Sequence, residues 1–235
     1  MKPFLTARWQ HLALLNYEAD AAALRPLAPA GTEIDVYNGR TYASVVGFMF
    51  LETRVRGWSI PFLRDFEEVN LRIYVRRKSA EGWRRGVAFI KEIVPKAAIA
   101  WVARAVYGEN YVALPMSHRW TGGATPDVRY AWSGGREMSV ELDPDGPYRP
   151  MAEGSEEEFI AEHYWGYVTQ RKGPAEYRVE HPRWRFAPAR RADLDADVSA
   201  LYGPVFAEYL SGRPRSAFLA EGSPVAVHEG SPMQS

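Results

Sequence analysis

Glu68, Asn70 and Arg72 stand two residues apart in the run FEEVNLRIYV, Phe66 to Val75. In an extended chain successive side chains alternate faces. These three therefore project together between Phe66 and Tyr74, while Glu67, Val69, Leu71, Ile73 and Val75 take the other side. A carboxylate, an amide and a guanidinium framed by two aromatic rings are what a small-ligand pocket uses to fix orientation. The same pattern also describes an antiparallel strand with one core face and one wet face. The interior reading carries a requirement: an unpaired buried guanidinium is costly, so Arg72 needs a carboxylate or a bound anion, and Glu68 is close enough on the strand to pair with it.

A second set of candidates surrounds Pro95-Lys96. Proline suits the opening of a helix, and KAAIAWVARAVY places Ile99, Val102, Ala103 and Val106 at helical spacing before Gly108 ends it. A lysine in a first helical turn feels the positive end of the dipole, which disfavours its ammonium form, the direction an amine nucleophile needs. It is also what an ordinary solvated lysine on an amphipathic helix looks like. Glu92 lies on the preceding strand, RGVAFIKEIV, where simple alternation groups it with Ala88, Ile90 and Val94, an apolar setting for a carboxylate. Lys96 and Glu92 are the candidate catalytic pair. Glu68, Asn70, Arg72 and Tyr74 are candidate ligand contacts, with Tyr107, Tyr111 and His118 added by residue type.

The elements that must position these groups read as strands. WQHLALLNY and TYASVVGFMFLETRV are apolar on both faces, which suits strands covered on two sides. Asn38-Gly39 signals a hairpin joining Glu33–Tyr37 to the second of them. Long strands are expected over Thr41 to Val55, Phe66 to Lys78 and Arg85 to Val94. Shorter ones follow in YVALPMSH, around Gly134-Gly135, in HYWGYVTQ and in YRVEHPRWRF. Ser155 with Glu158 three residues on forms a capping box before a short acidic helix. No composition shift or linker divides the chain, so one domain over residues 1–228 is expected, with 229–235 a disordered tail of low apolar content.

Composition narrows the function. Lys plus Arg and Asp plus Glu are 29 each, so the chain offers no net field for a polyanion and nucleic acid is not expected as a partner. With no cysteine there is neither disulfide nor thiolate chemistry. The five histidines show no ligand spacing, and P-loop, GxGxxG and GxSxG patterns are absent, so no metal or cofactor is expected. No stretch reads as a signal peptide or membrane span, which points to a cytoplasmic protein with a small-molecule partner; assembly as a homo-oligomer is left open.

The runs IPFLRDFEEVNLRIYV, GVAFIKEIVPKAAIAWVAR, YGENYVALPM, HYWGYVTQ, EHPRWR and SAFLAEGSPVAV resemble the YqjF-like family of bacterial proteins (domain of unknown function 2071), itself similar to the acetoacetate decarboxylase superfamily. The resemblance implies a mainly β fold: a closed acetoacetate decarboxylase-like β-barrel with peripheral helices and an internal cavity. In the decarboxylase a lysine of a Pro-Lys-Lys run forms a Schiff base with the keto acid. Pro95-Lys96 matches its place, but Ala97 stands where the second lysine would. Two functions follow: a barrel that binds a small acidic or aromatic metabolite, or a lyase acting on a small keto acid through Lys96.

Overall fold

The computed structural model describes residues 2–106, 108–122, 127–133, 136–142 and 148–233. In chain order its strands are β1 (Leu5–Glu18), β2 (Glu33–Ile34), β3 (Tyr42–Val55), β4 (Phe66–Ser79), β5 (Gly82–Val94), β6 (Tyr111–Ala113), β7 (Met116–Thr121), β8 (Asp127–Trp132), β9 (Arg136–Leu142), β10 (Arg149–Pro150), β11 (Trp165–Gln170), β12 (Gly173–Glu180), β13 (Arg185–Asp195), β14 (Ser216–Val227) and β15 (Ser231–Pro232). Its helices are α1 (Ala21–Leu24), α2 (Ala97–Val106), α3 (Glu156–Ala161), α4 (Val198–Tyr202) and α5 (Pro204–Leu210).

Strands apolar on both faces demand cover on two sides, and the sheet supplies it by closing. β14, β1, β3, β4, β5, β11 and β12 are hydrogen-bonded in that order, and β12 returns to β14 through Val179–Val227 and Glu180–Ala226. The inward side chains build one core: Leu14 of β1, Val46, Phe48 and Phe50 of β3, Phe66 of β4 and Val94 of β5 pack with Phe159 and Ile160 of α3. The outward ones build another. Val45, Val69, Leu71 and Ile73 share it with Tyr202, Phe206 and Leu210 of α4 and α5, and with Val128, Tyr130, Trp132 and Met138. The last four belong to a second layer of strands, β13–β9–β8–β7, that branches from β14. The mainly β, closed fold is the expected one. The outer face of β4 is covered by this sheet layer as well as by helices.

Two local expectations are corrected. Asn38 (φ 48°) and Gly39 (φ 80°) do form a tight turn, closed by reciprocal 2.9 Å bonds between Tyr37 and Arg40. The arm before that turn leaves β3, however, and pairs with β4, Glu33 opposite Arg76 and Ile34 opposite Val75. A two-residue signal fixes the turn but not the partner of the chain leading into it. Of the tail over 229–235, the described part is held to the sheet: Ser231–Pro232 pair with Glu176 and Ala175, and the Met233 amide donates to the Pro174 carbonyl at 3.0 Å. Backbone groups on an open strand edge hold a passing segment whatever its apolar content. The Gly134-Gly135 turn lies outside the described residues, though β8 and β9 pair antiparallel on either side of it.

The second layer sits against the ring at Gly47. A Cβ there would meet the Tyr130 ring at 2.5 Å and the Met138 sulfur at 2.8 Å. Gly47→Ala should force the layers apart and lower stability by about 1–3 kcal/mol, as overpacking does; chemical denaturation of the two proteins measures this, and an unchanged midpoint would show that the layers are not in contact there.

Candidate functional site

The site is made by two strands that meet out of step. β4 turns Glu68, Asn70 and Arg72 inward, as its alternation requires, and Glu68 and Asn70 are 2% and 1% exposed. On β5 the register runs Asn70–Glu92, Leu71–Lys91, then Arg72–Phe89, so Ile90 is an extra residue with no partner on β4. Such a bulge reverses the facing of everything beyond it. Val87 and Phe89 line the interior before it; after it Glu92 and Val94 do. Glu92 therefore shares a face with Asn70, not with Ala88 and Ile90 as unbroken alternation would have it. Asn110 clamps the bulge: its side-chain Nδ2 donates to the Ile90 carbonyl at 2.9 Å while its backbone carbonyl accepts from the Glu92 amide at 3.1 Å. That clamp brings the neighbouring Glu109 and Tyr111 to the same place.

The result is a cavity of about 150 Å³ inside the ring, walled mainly by aliphatic and aromatic side chains, among them Trp9, Phe48, Phe50 and Trp184. A cavity of roughly this size admits a benzene-sized molecule. Three carboxyls, Glu68, Glu92 and Glu109, enter it, all under a tenth exposed. Glu68 accepts from Asn70 Nδ2 at 2.9 Å and from the Tyr111 hydroxyl at 3.0 Å. Glu109 accepts from the Tyr177 hydroxyl. Tyr177 can reach it only because its ring lies across Gly166, where a Cβ would fall 2.1 Å from the ring.

Burial dominates the electrostatics. It penalises the charged form of each acid, pushing Glu68 up to about 7 against the opposing hydrogen bonds from Asn70 and Tyr111 and the charge of Arg72. Glu109 rises to about 8, and Glu92, with Glu109 and Glu68 adding repulsion to desolvation, lies well above the ordinary range. His163 also lines the cavity, 3.5 Å from Asp35, and burial lowers it to about 4.

Of the residues singled out in the sequence, Glu68, Asn70, Arg72, Glu92 and Tyr111 come together on the cavity wall. The others do not. Tyr74 is buried in the wall, donating to the Ser44 hydroxyl at 2.7 Å, and is not among the lining residues. His118 lies on β7 outside the ring, 2.6 Å from Glu67 of the opposite face of β4. Lys96 directly precedes α2, but its Nζ donates to the Phe62 carbonyl and it does not line the cavity. Tyr107 falls outside the described residues. The expected Glu68–Arg72 ion pair does not form: Arg72 donates instead to the Ile160 carbonyl at 3.2 Å and the Tyr74 hydroxyl at 3.4 Å, and Glu68 is satisfied by neutral donors. Glu109, Tyr177 and His163 were not singled out, because no spacing links them to β4; they converge from segments far apart in the chain. Among the described residues no group of three or more potential ligands is set up for a metal, and no helix is long and apolar enough to cross a membrane.

Comparison with solved structures shows the closed sheet to be an acetoacetate decarboxylase-like fold. The enduracididine biosynthesis enzyme MppR complexed with pyruvate superimposes with a TM-score of 0.67 at 13% identity, covering 98% of this chain and 91% of that one. Acetoacetate decarboxylase from Legionella pneumophila does so with a TM-score of 0.67 at 12% identity, covering 99% and 88%. A family model for DUF2071, described as an uncharacterized conserved protein, matches residues 6–224, and the chain belongs to that family. The uncharacterized protein YqjF of Bacillus subtilis (strain 168) is 27% identical over 183 residues, 75% of this chain and 72% of that protein.

A carboxyl that folding raises binds its proton more tightly in the folded state. Its contribution to stability is complete below the ordinary value of 4.5 and is lost as pH climbs through the raised one, about 8 for Glu109. His11, His163 and His181, lowered by burial, act in the opposite sense below 6.5. The stability difference between the wild type and Glu109→Gln isolates the first effect: it should fall steadily between about pH 4.5 and 8. Melting temperatures of both proteins across that range check this; a flat difference would mean that Glu109 is not buried as described.

Proposed function

We propose that the protein binds a small, compact molecule with an aromatic or other apolar body inside the closed ring, oriented by Glu68, Asn70, Arg72, Glu92 and Tyr111. The observation that carries this reading is the cavity itself: about 150 Å³ inside the ring, apolar over most of its wall, with Glu68, Asn70, Arg72, Glu92 and Tyr111 brought together from β4, β5 and β6. A fold optimised for stability alone would fill such a space, because each missing contact is a loss. An aromatic body suits the walls contributed by Trp9, Phe48, Phe50 and Trp184 better than a purely acidic ligand suits a site with three carboxyls and one guanidinium.

Schiff-base chemistry lacks this support. The chain has five lysines, Lys2, Lys78, Lys91, Lys96 and Lys172, and none is among the residues that line the cavity. The pyruvate bound by MppR is therefore not carried over to this chain.

Binding of benzyl alcohol, followed by tryptophan fluorescence, should be saturable and should disappear in Val46→Phe, which places a ring in the cavity opposite Asn70. Circular dichroism shows whether that variant stays folded. Treatment with acetoacetate and borohydride should leave Lys96 unmodified by mass spectrometry; a rapid adduct there would replace the binding reading with a lyase.

A further inference from the structure

Six buried polar atoms of cavity-lining residues lack a hydrogen-bond partner: Trp9 Nε1, Thr53 Oγ1, both ring nitrogens of His163 and, at the carboxyl cluster, Asn70 Oδ1 and Glu92 Oε2, in side chains each 1% exposed. A buried polar atom left unsatisfied costs free energy comparable to a lost hydrogen bond, so such atoms mark the place of something else. Asn70 decides what that something presents. Its Nδ2 is committed to Glu68 at 2.9 Å, which leaves the amide oxygen, an acceptor only, directed to the same side of the sheet as Glu92, its cross-strand neighbour. A carboxylate ligand would set further acceptors against Asn70 Oδ1 and against Glu92 in its ionised form. A ligand with several N–H donors would satisfy both once Glu92 is ionised, and its charge would complement carboxyls whose hydrogen-bond donors are neutral side chains, Arg72 acting on Glu68 only through its field.

We infer that the ligand of this cavity carries a protonated nitrogen, a primary ammonium or an amidinium, which docks between Asn70 Oδ1 and the carboxyls of Glu92 and Glu68, with its apolar body against the aromatic wall. The inference rests on the ligand-binding reading above and gives it a chemical class. The aromatic rings contribute in the same direction, since a cation beside the faces of Trp or Phe in a dry site is attracted by their quadrupoles.

Binding then has a proton balance. The empty cluster holds protons that burial favours; a bound ammonium favours the carboxylates, so uptake at neutral pH releases protons to solvent. The other titratable or charged groups facing the cluster are Arg72 on β4, Tyr111 on β6, Tyr177 on β12, and His163 and His181 on the segments flanking β11 and β12. The two histidines are lowered by burial and Tyr111 is raised by it, so none of the three changes charge near pH 7 to 8.

Three probes of one shape separate the possibilities: benzylammonium, benzyl alcohol and benzoate, titrated into the full chain by fluorescence and calorimetry. At about pH 8.5 benzylammonium should bind about tenfold or more tightly than benzyl alcohol, the advantage shrinking toward pH 6 as the carboxyls regain their protons. Its heat of binding should differ between buffers of different ionisation enthalpy, reporting proton release. Glu92→Gln, which keeps the shape but cannot ionise, should remove most of that advantage and reduce the proton release. Benzoate or benzyl alcohol binding as tightly as benzylammonium would overturn the inference and leave the binding cavity standing. Failure of all three to bind would overturn both.

Discussion

Two residue pairs close the sheet, Val179 with Val227 and Glu180 with Ala226, and the character of the interior depends on that closure. An open sheet of the same strands would leave one face of β3 and β4 to water, where Glu68, Asn70 and Glu92 would be ordinary solvated groups. Closed, the same face has no solvent to charge it, and every polar group on it must find a partner in the wall or in a ligand. The aliphatic outer face faces the converse demand and meets it with the β13–β9–β8–β7 layer and the last two helices. Closure thus turns a simple alternation on β4 into a division between a packed outside and a chemically loaded inside.

Closure alone would not assemble the carboxyl cluster. Without the extra residue at Ile90, Glu92 would point outward into the aliphatic layer with Val69 and Leu71, a setting it could tolerate only at a large desolvation cost. The bulge moves that cost to the cavity, where Tyr111 and Asn70 are at hand. Asn110 holds the bulge by its side chain and backbone, so the turn that sets Glu92 also sets Glu109 beside it. One local irregularity and one asparagine therefore account for two of the three acids, and the passage of Tyr177 over Gly166 supplies the donor that satisfies one of these two, Glu109.

The legible part of this protein was the periodic part. The alternation of β4 named the inward trio, and the double-faced apolar run of β3 called for a closed or layered sheet, because both depend only on neighbours in sequence. Glu92 was visible as a carboxylate out of place in an apolar strand, but its true facing was hidden, since an inserted residue leaves no mark in a run such as AFIKEIV. Glu109, Tyr177 and His163 were invisible because only the fold brings them to β4. Lys96 and His118 failed for a related reason: residue type suggested chemistry, whereas location is decided by which face the chain turns inward, and both ended outside the cavity wall.

The position of Lys96 bears on how this fold can host different functions. Imine chemistry needs an amine in the cavity with its charge suppressed by a dry or cationic setting. Here the groups buried in the cavity wall are acids, and desolvation acts on an acid in the opposite sense, favouring the neutral, protonated form. An unprotonated amine placed among them would take up a proton and pair with them, losing the nucleophilicity the mechanism requires. The acid cluster and an imine-forming lysine are thus poorly compatible in one small cavity. The absence of every lysine from the wall and the presence of three carboxyls on it express a single electrostatic choice, one suited to holding a positive charge steady rather than to activating an amine for attack.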